Sequence, residues 1–214
     1  MARRKNKQQI FEKVEILDAG ARGKSVAKAP DGRSLFLNNV GPGDVVDVRT
    51  GKKRTTYDEG TAIHVHQYSE KRVEPVCAHF LYCGGCKWQN MNYAHQLKYK
   101  QKEVTNNLQR IGQIKVEEIL PIVACEKHYF YRNKMEFSFS SNRWLTPEEI
   151  VAKEPVLDRN ACGFHIAGMW DKILDIVTCH LLEDPSNDIR NFINQFGNEH
   201  DLEFFDPRGE TGIL

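Results

Sequence analysis

Val14-Glu15-Ile16-Leu17, Lys24-Ser25-Val26-Ala27-Lys28-Ala29, Arg33 to Asn39 (RSLFLNN), Asp44 to Thr50 (DVVDVRT) and Thr61 to Gln67 (TAIHVHQ) are five short runs that alternate apolar and polar residues. They are parted by Pro30-Asp31-Gly32, Gly41-Pro42-Gly43-Asp44 and Asp58-Glu59-Gly60, the residue types that make turns. Five strands in under seventy residues fit a small barrel that closes on itself and so removes its own sheet edges. The reading is an all-β, OB-like barrel over residues 1–72, followed by an α+β domain over 73–214. Gly23-Lys24-Ser25 imitates the end of a phosphate-binding loop, but that loop needs glycine where this chain has Asp18. Gly20 and Gly23 are read instead as turn formers.

Charge divides the same way. Residues 1–145 hold 25 Lys and Arg against 15 Asp and Glu, and residues 146–214 hold 5 against 14, so a net charge of +1 conceals a basic front and an acidic tail. A basic barrel is the footprint of a nucleic-acid binder, whose affinity rests largely on phosphate contacts. Arg22, Lys24, Lys52, Lys53 and Arg54 are the barrel candidates for RNA contact. In Tyr131-Arg132-Asn133-Lys134, Tyr131, Arg132 and Lys134 add a stacking ring, a forked donor and a point charge. Phe36 is expected in the core. No apolar run reaches 18 residues, and the start MARRKNKQQIFEK lacks the apolar stretch of a secretory signal. A cytoplasmic protein, monomeric and without membrane contact, is expected.

Farther along, Asn92 caps a helix expected over 93–111 that ends at Gly112 and turns Ala94, Leu97, Val104, Leu108 and Ile111 to the core. Met135 to Ser140, Gly163 to Ile166 and Ile173 to Val177 read as strands. Ile189, Phe192, Ile193 and Phe196 recur at helical spacing before Gly197. Leu202 to Leu214 reads as a hairpin about Asp206-Pro207-Arg208-Gly209, its second arm so short that a longer protein is expected.

Three of six cysteines, Cys77, Cys83 and Cys86, fall within ten residues as C-x5-C-G-G-C. In a reducing compartment such crowding signals metal ligation rather than disulfides. One C-x2-C knuckle beside a longer arm favours an iron–sulfur cluster over a zinc ribbon. Spacing alone leaves the fourth ligand open among Cys125, Cys162 and Cys179. The histidines, His79 inside the cysteine loop included, are read as surface or hydrogen-bonded side chains.

The cysteine motif runs on into Trp88-Gln89. With Gln96-Leu97-x-x-Lys100, Arg110-Ile111-Gly112 and Tyr131-Arg132-Asn133-Lys134, it resembles the iron–sulfur 23S rRNA (uracil-5-)-methyltransferase family. The resemblance identifies residues 10–72 with that family's TRAM barrel, through Gly20, Gly23, Gly41-Pro42-Gly43-Asp44 and Ser69-x-x-Arg72. It implies a [4Fe–4S] cluster on Cys77, Cys83, Cys86 and, in the D-x-x-x-C context of Asp175, Cys179. It also implies S-adenosylmethionine as methyl donor, held by a Rossmann-like domain absent from this chain. No catalytic residue is expected here, and these residues alone should be inactive. The competing readings are a free-standing RNA-binding iron–sulfur protein and a zinc-stabilised interaction module.

Overall fold

A computed structural model describes residues 8–53, 56–156 and 158–214. Contacts divide the chain into two units, Met1–Pro75 with Lys87–Cys125, and Val76–Cys86 with Glu126–Leu214.

The first unit contains the barrel. β1 (Ile10–Ala19), β2 (Ser25–Lys28), β3 (Ser34–Leu37), β4 (Val45–Lys53) and β5 (Tyr57–Gln67) close in the order β1-β2-β3-β5-β4. All pairings are antiparallel except β3 with β5, which run parallel from Ser34↔Tyr57 to Leu37↔Gly60. The two-residue period sends Val14, Ile16, Ala27, Leu35, Leu37, Val46 and Val48 inward. Each large aliphatic among them contributes about 1.5–3 kcal/mol by leaving water.

Phe36 departs from expectation. Lying between the inward Leu35 and Leu37, it points out of the barrel and sits half-buried, edge-on to Tyr57 at 5.1 Å between ring centres.

In the same unit, α1 (Tyr93–Asn106) starts where expected, with Asn92 Oδ1 accepting from the Ala94 N–H at 2.9 Å. Its last turn widens into a single π-turn over Asn107–Ile111. The left-handed residue after it is Gln113 (φ 51°), not Gly112, which stays right-handed at φ −73°. The buried side is also not the expected stripe: Val104 and Ile111 are exposed, whereas Tyr99 packs with Ala19, Met91 and Trp88.

The second unit holds a three-stranded antiparallel sheet, β6 (Ser138–Ser140), β7 (Ala161–His165) and β8 (Ile173–Asp175), with β7 central. A short helix, α2 (Pro147–Ala152), carries a capping box in which Thr146 Oγ1 accepts from Glu149 N–H and Glu149 Oε2 accepts from Thr146 N–H.

α3 (Ser186–Glu199) follows, and its apolar stripe does not face the protein: Ile189, Phe192, Ile193 and Phe196 are exposed while Asn187 and Arg190 are buried. Gly197 does not end it. The helix runs on to Glu199, and a Cβ at 197 would lie 2.9 Å from the Phe204 ring. The final hairpin is closed by main-chain bonds, Phe205 N–H to Leu214 O and Ile213 N–H to Glu203 O, each 2.8 Å.

Candidate metal centre and nucleic-acid interface

The cysteine loop is built from tight turns. Phe80 N–H reaches Cys77 O at 3.1 Å, and Cys83 N–H reaches His79 O at 2.8 Å. Cys83 then bridges to Ile166 beyond β7. Gly84 is required by that approach: a Cβ there would lie 2.6 Å from the His165 carbonyl oxygen. The Gly85 N–H donates to Cys83 Sγ at 3.4 Å, the kind of amide-to-sulfur contact that stabilises a thiolate ligand.

Cys179 comes to this loop on the Val177–Cys179 turn. His79 Nε2 accepts the Val177 N–H at 3.3 Å, tying the first cysteine segment to the last. Burial, the largest influence on His79, lowers its pKa, which suits an accepting neutral ring.

The thiols feel one another. Burial pushes the Cys77 thiol up, a main-chain N–H of His79 pulls it back, and Cys86 and Cys179 push it further. Cys83 is likewise raised by burial, eased by Gly85 N–H, and raised again by Cys86, Cys77 and Cys179. Cys77 and Cys83 thus each stand within electrostatic reach of Cys86 and Cys179.

Among the described residues, no group of three or more His, Cys, Asp or Glu side chains closes around a point that could hold a single metal ion. Sulfurs around one zinc, each at about 2.3 Å, would form a tetrahedron with edges of ~4 Å. A four-iron cluster takes one thiolate per iron and accepts a wider spacing. Four thiolates are a donor set that either centre takes.

The other two cysteines have separate surroundings. Cys162 is buried on β7, its N–H donates to Asp175 Oδ1 at 2.9 Å, and burial pushes its thiol up to about 11. Asp175 in the D-x-x-x-C context thus serves as an anchor for β7. Cys125 is exposed in the first unit, where its N–H donates to the Tyr93 hydroxyl at 2.8 Å.

The candidate RNA residues fall in two sets. Arg22 is exposed at the barrel's β1–β2 turn, held left-handed at φ 59°. Lys24 is half-buried and pairs with Glu59 at 3.4 Å. Lys52 and Lys53 end β4, Lys53 in register with Asp58. Arg54 lies outside the described residues.

In the second unit, Tyr131 and Arg132 are exposed, and Lys134 is exposed in a loose pair with Glu136. This strip is fastened to the residues just after Cys179: Phe130 N–H donates to His180 O and Arg132 N–H to Leu181 O, both at 2.8 Å. Sequence reasoning missed a cleft of about 660 Å³ lined by Gly84, Gly85, Met169 and the exposed Trp170, because nothing in the local pattern pairs residue 84 with residue 170.

No family model matches the chain. Curated relatives do. An uncharacterized RNA methyltransferase of Bacteroides thetaiotaomicron is 46% identical over 91% of this chain and 42% of its own length. Another from Porphyromonas gingivalis is 39% identical over 94% and 44%. Its relatives are RNA methyltransferases.

A third, the 23S rRNA (uracil(1939)-C(5))-methyltransferase RlmD of Acidovorax, is 33% identical over 79% of this chain and 33% of its own. The chain thus spans well under half the length of these relatives. In fold it is similar to the crystal structure of Pyrococcus abyssi tRNA (uracil-54, C5)-methyltransferase bound to S-adenosyl-L-homocysteine. That match has a TM-score of 0.60 at 20% identity and covers 94% of this chain and 40% of the other. No helix among the described residues is long and apolar enough to cross a membrane.

Proposed function

We propose that this chain is the RNA-recognition portion of an S-adenosylmethionine-dependent RNA (uracil-5-)-methyltransferase acting on 23S rRNA in the cytoplasm as a monomer. Residues 10–72 serve as a TRAM-type barrel, and Cys77, Cys83, Cys86 and Cys179 hold a [4Fe–4S] cluster. Chemistry and methyl donor belong to the part of the relatives that this chain does not span, so these residues alone bind RNA and transfer no methyl group.

The observation that carries the reading is the fastening of the Tyr131-Arg132 strip to His180 and Leu181, directly beyond Cys179. When bound, the cluster supplies four iron–sulfur bonds that pin the cysteine loop to the turn at residues 177–179. The chain's own part is to hold a ring and a guanidinium on that pinned frame, where a splayed base can stack and a phosphate can be gripped. The barrel supplies Arg22 and the strand end at Lys52 and Lys53, with Phe36 and Tyr57 as an aromatic pair on its outer wall.

The RNA partner is supported by the relatives at 46% and 39% identity, and the ribosomal target by the name of the 33% one. The test is filter binding of a folded 23S rRNA fragment by oxygen-free protein at two salt concentrations, before and after the metal is stripped with chelator. Salt-sensitive binding that weakens on stripping is expected. Binding of no RNA by metal-replete protein refutes the proposal, and stoichiometric zinc in place of iron refutes its cluster half.

A further inference from the structure

Arg190 is 4% exposed, yet no carboxylate among the described residues pairs with it. Its Nη1 donates to Asn187 Oδ1 at 3.3 Å, its Nη2 to Asn191 Oδ1 at 2.9 Å and to the Val177 carbonyl, and its guanidinium lies 4.8 Å from the centre of the Phe137 ring. All these partners are neutral, and Nε is buried with no hydrogen-bond partner at all. Asp175 acts on it only through space, and a buried cation without a bonded counter-anion is costly. α3 nevertheless turns this face inward and leaves Ile189, Phe192, Ile193 and Phe196 outside. Hydrophobic burial does not explain that choice.

What the inward face does grip is the turn bearing Cys179. Asn187 Oδ1 accepts the Cys179 N–H at 2.8 Å, and Asn187 Nδ2 donates to the Cys179 carbonyl at 3.2 Å. Asn191 Nδ2 donates to Val177 O at 3.1 Å. Three residues within about one helical turn therefore clamp both ends of one tripeptide, and the buried guanidinium is part of the clamp. A tetrathiolate metal centre ligated by Cys179 would bring net negative charge to the turn that Arg190 holds.

We infer that Arg190 is the counter-charge, and Asn187 the positioning residue, for a net-anionic metal–thiolate centre held through Cys179. The inference rests on the ligand set proposed above and adds to it the residues that set its charge balance and hold its fourth ligand.

The test uses the whole 214-residue chain, reconstituted with iron and sulfide without oxygen. Its readouts are iron content, midpoint potential and the rate of iron release to a chelator, with circular dichroism to confirm folding. A cation beside a cluster favours the reduced, more negative state, so Arg190→Gln is expected to move the midpoint potential to a more negative value, and Arg190→Lys to stay near the parent. Asn187→Ala, which keeps the guanidinium, is expected to release iron about 10–100-fold faster, the usual effect of losing an outer-shell partner.

A folded Arg190→Gln protein with the parent potential overturns the counter-charge. Should that variant not fold, Arg190→Lys still decides, because a potential far from the parent in a protein that keeps the charge is equally fatal. An unchanged release rate in Asn187→Ala overturns the clamp. If the parent chain itself takes up no iron, the ligand set fails first and the inference falls with it. That outcome is distinct from an iron-loaded parent whose variants match it.

Discussion

The carboxylate of Asp44, wholly buried beneath the barrel, receives both Nη2 of Arg72 at 2.6 Å and its Nε at 2.9 Å. It also accepts the N–H of Gly41 at 2.6 Å and of Ser69 at 2.9 Å, so one side chain joins the β3–β4 turn to the chain leaving β5. Removing one member of a buried pair strands the other, at about 3–5 kcal/mol. Asp44→Ala and Arg72→Met should each cost the first unit that much in urea unfolding, and Arg72→Lys less, since it keeps the charge but loses the fork.

Acid should find the same lock. Burial raises the Asp44 pKa, but the bonds from Arg72, Gly41 and Ser69 outweigh it and hold the carboxyl below its ordinary value. A folded-state pKa below the unfolded one stabilises above about pH 4, and that stabilisation is lost as pH falls through the lower, folded value. Urea midpoints should therefore fall below pH ~4 in the parent and change less in Asp44→Asn. A parallel fall in both would remove Asp44 as the cause.

Cysteine replacement should sort the thiols. Oxygen-free preparations are expected to be brown, absorbing near ~400 nm. Cys179→Ser should lose that band, whereas Cys125→Ser and Cys162→Ala should keep it. Cys162, raised by burial to about 11, is a thiol at neutral pH and should also resist alkylation in the folded protein.

Arg132→Ala with Lys134→Ala should weaken RNA binding and flatten its dependence on salt. The log–log slope should fall by about 0.7–0.9 for each phosphate that the variant no longer neutralises. Lys24→Ala should change it less, because the Lys24 side chain is 35% exposed and that of Lys134 is 80% exposed. Equal slopes for the double variant and the parent would remove this strip from the interface.

Gly84→Ala should dislodge the cysteine loop, since the new Cβ falls 2.6 Å from the His165 carbonyl oxygen. Lower iron content at unchanged barrel stability is the expected signature. Full iron loading would show that the loop relaxes at no cost.

The barrel was legible because its alternation is a local signal: Leu35 and Leu37 face in, and closure follows from strand number and turn spacing. The same rule, applied strictly, would have placed Phe36 outside. α2 was missed although Thr146-Pro147-Glu148-Glu149 spells a capping box, because six residues are too few for a periodic stripe.

The face that α3 turns inward was not legible, for a deeper reason. Periodicity reports that a helix has two faces, but not which one meets the protein, and at Arg190 and Asn187 the polar face meets the turn carrying Cys179. The cysteines were found by spacing. The partners that hold them, His79 and Asn187, lie 98 and 8 residues from the atoms they bind, and spacing is silent about such pairings.

Because β4 pairs with β1 to complete the ring, each of the five strands, among the described residues, has a neighbour on both sides along part of its length. Whatever settles on it finds no strand free along its whole length to pair with. It has to be held by what protrudes, so a swap of surface side chains between relatives could redirect the barrel to another ligand without disturbing a single rung of its ladder.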